Sequence, residues 1–171
     1  MKQQIIVSGI GGQGVLFLTR VIAQTAVDRG IAVLTSETHG MAQRGGTVLS
    51  TIKVGSFASP LIRTAQADLG LLLWEANLPV HHSLLKTDGV WIINAATAGA
   101  GIRIDAADIA RKLGNAVLLN LVLLGLAVRR QAIFCTAGEC VAAIRQLAPA
   151  KFVDQNLAAF FAGAGEEQGD F

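Results

Sequence analysis

Ile5-Ile6-Val7-Ser8-Gly9-Ile10-Gly11-Gly12-Gln13-Gly14 opens the chain with a short apolar strand that runs straight into a glycine-rich turn. Behind it, Val15, Leu18, Ile22 and Ala26 recur at helical spacing, with Arg20, Gln24 and Asp28 on another face. Apolar residues three and four apart form one stripe of a helix, so a strand, tight turn and helix follow one another. Gly30 closes the helix, and Ile31-Ala32-Val33-Leu34 reads as the second strand. A crossover of this kind predicts that the two strands pair in parallel. The fold class expected from this opening is α/β: a three-layer, doubly wound, mostly parallel sheet with helices on both faces.

The pattern continues to the end of the chain. Residues 47–54 are rich in β-branched residues and alternate in part, which suits a strand with one less buried face that need not be parallel. Ser59-Pro60 is expected to be extended, since the residue before proline is steered out of the helical region. The apolar runs at 69–74 and 89–94 predict central strands, with a helix over 79–85 that has Pro79 in its first turn. Asp105 reads as the N-cap of a helix over 106–113, and 117–129 as a strand end followed by a buried helix. A helix from Cys135-Thr136 to about 147 and another over 152–161 complete the reading. Neither a linker nor a repeat divides the chain, so residues 1–171 are expected to form one domain, with a frayed glycine-rich tail from about 164.

Composition narrows the function. Hydrophobic residues make up 52% of the 171 and charged residues only 15%, with a mean hydropathy of +0.52 and no tyrosine. Soluble domains usually carry about 25% charged residues. Part of the apolar excess belongs to a sheet covered on both faces, and part is expected to be covered by another chain, either a partner or a second copy of this one. The longest apolar run, 116–128, is interrupted by Asn120 and falls short of the roughly 18 to 20 residues that cross a bilayer. Without an export signal at its start, the chain is expected to be cytoplasmic. A net charge of +2, with Lys and Arg scattered, gives no reason to expect nucleic acid or an anionic membrane as partner. Cys135 and Cys140, the two cysteines of the chain, can neither ligate an iron–sulfur cluster by four thiolates nor build a disulfide framework, and read as thiols. His81-His82 is no metal pair either, because neighbours on a helix point apart, and Trp74 and Trp91 read as core or interface anchors.

Two glycine loops concentrate the candidate site. Gly9, Gly11 and Gly14 match a dinucleotide fingerprint, and Glu37 stands where such a site has its ribose-binding acid. Gly12 and Gln13 are unlike the small apolar filler of that turn, however, and Glu37 starts a long polar loop. In that loop, Glu37-Thr38-His39-Gly40-Met41-Ala42-Gln43-Arg44-Gly45-Gly46-Thr47, three hydrogen-bonding side chains (His39, Gln43 and Arg44) stand among glycines that permit close backbone approach. A guanidinium on such a loop can fork onto a phosphate or carboxylate. Strand ends in a doubly wound sheet share one crevice, so both loops are expected at the same edge. The candidate ligand-binding residues are Gly11, Gly12, Gln13, Gly14, His39, Gln43, Arg44, Gly45 and Gly46, with no catalytic residue and no metal ligand among them. Three readings stay open on residues alone: a subunit that binds an anionic ligand at this edge, a free-standing dinucleotide oxidoreductase, and a purely structural assembly subunit.

Gly11-Gly12-Gln13-Gly14-Val15, Arg44-Gly45-Gly46, Ser59-Pro60, and Asn156 with Ala159-Phe160 and Gly163 together resemble the small, γ-type subunit of the 2-oxoacid:ferredoxin oxidoreductases over nearly the whole chain. The wording of residues 37–46 is most similar to the indolepyruvate branch, in its β subunit, although the chain is short after Ala95. The resemblance implies an enzyme complex that oxidatively decarboxylates a 2-oxoacid, an aryl pyruvate by branch, to an acyl-CoA and passes the electrons to ferredoxin. It implies further that thiamine diphosphate, Mg and iron–sulfur clusters sit on a large partner subunit, that this chain binds none of them alone, and that its own domain takes part in handling coenzyme A.

Overall fold

The computed structural model describes residues 1–39 and 46–165. Its centre is a six-stranded sheet: β1 (Gln3–Ile10), β2 (Val33–His39), β3 (Thr47–Val54), β4 (Ala67–Leu72), β5 (Leu85–Asn94) and β6 (Ile102–Ile104), in the order β2-β3-β1-β4-β5-β6. The pairs β1/β4, β4/β5 and β5/β6 are parallel, whereas β3 runs antiparallel to both β1 and β2. The sheet is thus mostly parallel, as expected, with one correction: β1 and β2 point the same way but do not pair. The connection from β2 to β3 is short enough to join antiparallel neighbours only, so β3 folds back beside β2 and takes the place next to β1.

Helices lie on both sides of the sheet, in unequal layers. α1 (Val15–Asp28), α3 (Ala106–Lys112), α4 (Leu119–Arg129), α5 (Ala137–Leu147) and α6 (Val153–Ala164) share one core with the face that carries Ile5, Val7, Ile52, Leu69, Leu71 and Ile92. The other face is covered by the loop after β3 and by a short helical segment, α2 (Leu78–His81) between two 3₁₀ turns. Its smaller core joins Ile6, Ile62 and Ala67 to Leu84 and Trp91. Trp91 lies across Gly70, where a Cβ would stand 2.1 Å from the indole ring.

α4 is buried on every side from Leu119 to Ala127, which explains the unbroken apolar run. No strand precedes it, contrary to expectation: Asn115 caps a 3₁₀ turn over Ala116–Leu118 that leads directly into α4. A uniformly apolar stretch carries no period with which to tell strand from helix. α4 and α6 touch backbone to backbone at Gly125 and Gly163; a Cβ on Gly163 would stand 1.9 Å from the Val122 carbonyl oxygen. Thr136 and Glu139 form a capping box at the start of α5. α6 continues to Ala164 and ends on Gly165, so most of the expected frayed tail lies outside the described residues. Among the described residues no helix is long and apolar enough to cross a membrane.

Candidate functional site

The winding of the sheet reverses between β1 and β4, and in an open α/β sheet ligands bind outside the carboxyl ends of the strands at such a switch point. The glycine turn stands there. Gly12 and Gly14 hold φ of 94° and 76°, conformations that favour glycine. Gly14 is the N-cap of α1 and offers no side chain, so the first turn of the helix has no side-chain cap. Uncapped N–H groups and the helix dipole make such an end favourable to anions. It borders a recess of about 410 Å³ lined by Gly11, Gly12, Gly14, Val15, Leu16 and Val117.

The glycine turn meets the end of the second loop at Gly46. The N–H of Gly11 donates to the carbonyl of Gly46 at 3.1 Å, and the backbone of His39 ends β2 opposite Val48 at the same edge. Gln43, Arg44 and Gly45 lie outside the described residues, as does the side chain of His39.

Gln13 turns inward. Its Oε1 accepts from the N–H of Ile10 at 2.9 Å, its Nε2 donates to the carbonyl of Leu73 at 3.2 Å, and its own N–H donates to Ile10 O at 3.2 Å. The side chain therefore ties the end of β1 to the residue that follows β4. Two further amides work beside it. Asn77 Nδ2 donates to Ser8 Oγ and Gly9 O, both at 3.0 Å, and Asn94 Nδ2 donates to Leu73 O at 3.0 Å. Asn94 Oδ1 also accepts the N–H of Ala107, which seats α3. Nothing in the sequence marks a role for Asn77, Asn94 or Asn120, although each is a polar residue near an apolar run.

A second recess of about 520 Å³ lies at the ends of β4 and β5, lined by Trp74, Glu75, Asn94 and Asp105 among others. Trp74 is 44% exposed there and lies outside the buried core. Trp91, by contrast, belongs to the smaller core. Arg103 pairs with Glu75 at 2.6 Å and donates to the carbonyls of Thr97 and Ala100, which closes the shortened stretch after Ala95 into a compact loop.

This geometry does not suit a dinucleotide enzyme. Glu37 pairs with Ser50 on the edge strand, so β3 stands between it and β1. At a strand spacing of about 4.8 Å, it lies two strands from the turn instead of one.

The chain matches the model of the pyruvate ferredoxin/flavodoxin oxidoreductase family over residues 4–166. It belongs to that family. It is accordingly a subunit of a 2-oxoacid oxidoreductase. Among curated relatives, the indolepyruvate oxidoreductase subunit IorB of Archaeoglobus fulgidus is 31% identical, over 95% of this chain and 94% of the relative. Among solved structures, the pyruvate oxidoreductase subunit PORC of Thermotoga maritima superposes with a TM-score of 0.80 at 22% identity, covering 96% of each chain. The 2-oxoglutarate:ferredoxin oxidoreductase of Magnetococcus marinus, solved with 2-oxoglutarate, coenzyme A and succinyl-CoA bound, contains the same fold. There the TM-score is 0.77 at 18% identity, and the match covers 96% of this chain and 30% of that one. At these identities, both structures speak to the fold alone.

Proposed function

We propose that this chain is the small subunit of an oxidoreductase acting on indolepyruvate or a related aryl 2-oxoacid, and that its glycine-lined edge takes part in binding coenzyme A. The observation that carries this reading is the match, nearly end to end in both chains, to an indolepyruvate oxidoreductase subunit. Thiamine diphosphate with Mg and the iron–sulfur clusters belong on a larger partner subunit, where they supply decarboxylation and electron transfer to ferredoxin. The two cysteines of this chain are too few to hold a cluster by thiolates.

The task left to this chain is binding and orientation. The uncapped first turn of α1 provides N–H groups and a positive dipole end beside Gly11, Gly12 and Gly14. Arg44 provides the charge that meets a phosphate, with His39 and Gln43 as orienting polar groups and Gly45 and Gly46 allowing close approach. Gln13 acts through the turn that it holds.

The test is purification of the tagged chain from its host, followed by assay of ferredoxin reduction with aryl pyruvates and coenzyme A. A large partner carrying iron, sulfide and thiamine diphosphate is expected to come with it, and Arg44→Ala is expected to raise the KM for coenzyme A more than that for the oxoacid. A lone chain with no partner would overturn the subunit reading. Unchanged kinetics in Arg44→Ala, or weakened assembly alone, would reduce the edge to a docking surface.

A further inference from the structure

The two cysteines of the chain lie in one buried place that the site at the sheet edge does not use. Cys135 immediately precedes Thr136, the N-cap of α5, and Cys140 stands one turn into that helix. Their Sγ atoms are 3.4 Å apart, with Cys135 5% exposed and Cys140 fully buried. The segment that carries Cys135 is held from both sides. Gln3 donates to Ala132 O at 2.7 Å and accepts from the N–H of Phe134 at 2.9 Å. Arg29 donates to Phe134 O at 2.8 Å and pairs with Glu139. The capping box fixes the first turn of α5, and the N–H of Cys140 donates to Thr136 O at 3.1 Å. The two thiols therefore face each other from rigid supports.

We infer that Cys135 and Cys140 are a redox-active dithiol that closes to an intramolecular disulfide when a peroxide oxidises it. Bonded sulfurs lie about 2.05 Å apart, so closure brings the two Sγ atoms, 3.4 Å apart as thiols, about 1.35 Å nearer. The hydrogen bond from Cys140 holds the Cys135 thiol below the usual range, whereas the same contact and burial push Cys140 up. Cys135 is accordingly the thiol that ionises and attacks. Its thiolate forms an S–O bond with one peroxide oxygen as the O–O bond breaks, and the released hydroxide takes up the proton that the Cys135 thiol lost and leaves as water. Cys140 then attacks the Cys135 sulfur, an S–S bond forms, the S–O bond breaks, and the second oxygen leaves as water with the Cys140 proton. Two thiols are oxidised by two electrons, and one hydrogen peroxide is reduced to two waters. Burial of Cys135 keeps other thiols away from the intermediate and favours the internal partner.

Residues 131–145 form one tryptic peptide that contains both cysteines. The protein, purified with whatever partner accompanies it and kept in reductant, is treated with hydrogen peroxide, denatured in an alkylating reagent and digested. The expected peptide has lost two hydrogens and carries no alkyl group, and dithiothreitol restores both alkylation sites. A peptide that keeps both thiols alkylatable at a dose that closes the pair in the unfolded chain would overturn the inference. So would one that carries oxygen on one sulfur while the other stays free, or a link to another molecule. In Cys140→Ser, Cys135 is expected to accumulate as a sulfenic acid that a dione reagent traps; trapping no greater than in the unaltered protein would rule out Cys140 as the resolving thiol.

Discussion

Asn120 Nδ2 donates to the carbonyl oxygen of Gly14 at 3.1 Å, so a residue in the first turn of buried α4 holds the N-cap of α1. The same side chain leaves no room for anything but hydrogen on Gly14, where a Cβ would stand 2.3 Å from Nδ2. The residue that interrupts the most apolar stretch of the chain thus serves the glycine turn.

Asn120→Leu is expected to destabilise the protein by about 0.5–1.5 kcal/mol, because a part-buried hydrogen bond is lost and the Gly14 carbonyl keeps only the N–H of Leu18. Chemical denaturation measures the cost. If the turn is part of a coenzyme A site, the same variant raises the KM for coenzyme A at temperatures where it stays folded. A stability equal to that of the unaltered protein would show that the contact contributes nothing.

Two glycine substitutions should part company. Gly163→Ala places a methyl 1.9 Å from a backbone oxygen of α4, which cannot swing aside as a side chain would, so α4 and α6 must separate. Overpacking of this kind costs about 1–3 kcal/mol or more. Gly138→Ala meets nothing within 4 Å and lies in the first turn of α5. It should raise stability by about 0.5–1 kcal/mol by restricting the unfolded chain. Thermal melting of the pair tests the contact, and equal shifts would contradict it.

Gln13→Leu removes both the acceptor for the Ile10 N–H and the donor to Leu73 O, and the expected loss is about 1–3 kcal/mol. Gly12→Ala meets no atom within 4 Å but forces an L residue to φ of 94°, so a loss of about 1–2 kcal/mol is expected from backbone strain alone. Denaturant titration of each variant, read with the KM for coenzyme A, separates the scaffold of the turn from its binding surface.

His81 is 6% exposed, its Nε2 has no hydrogen-bond partner, and burial holds the ring below its ordinary value of 6.5. The neutral ring is the native form. As pH falls through 6.5, the unfolded chain takes up this proton before the folded one does, so stability drops with decreasing pH until the folded ring also titrates. His81→Leu should flatten the fall in melting temperature between about pH 7 and pH 5. An identical slope in both proteins would mean that the ring does not contribute.

Much of the scaffold was legible because its signals are local. The helical stripe of Val15, Leu18, Ile22 and Ala26, the N-cap at Asp105 and the helix start at Thr136 depend on neighbours a few residues away, and each stands where the spacing put it. The pairing of β1 with β2 was misread because adjacency in a sheet is a choice among partners, and the short return to β3 won it. The region before α4 was misread because a helix buried all round has no polar face to mark its period.

What the sequence by itself determined is the α/β class, the two glycine turns at one edge, and membership of the family, since these rest on residue types in a fixed order. Only the tertiary structure decided that the Gln13 side chain bonds Ile10 and Leu73, that Glu37 lies two strands from the turn, that Asn77, Asn94 and Asn120 hold the switch point, and that Cys135 and Cys140 touch. The reason is physical: side-chain amides and thiols have no periodic signature, and their partners are set by contacts such as that between Asn120 and Gly14, 106 positions apart, which exist only once the core has closed.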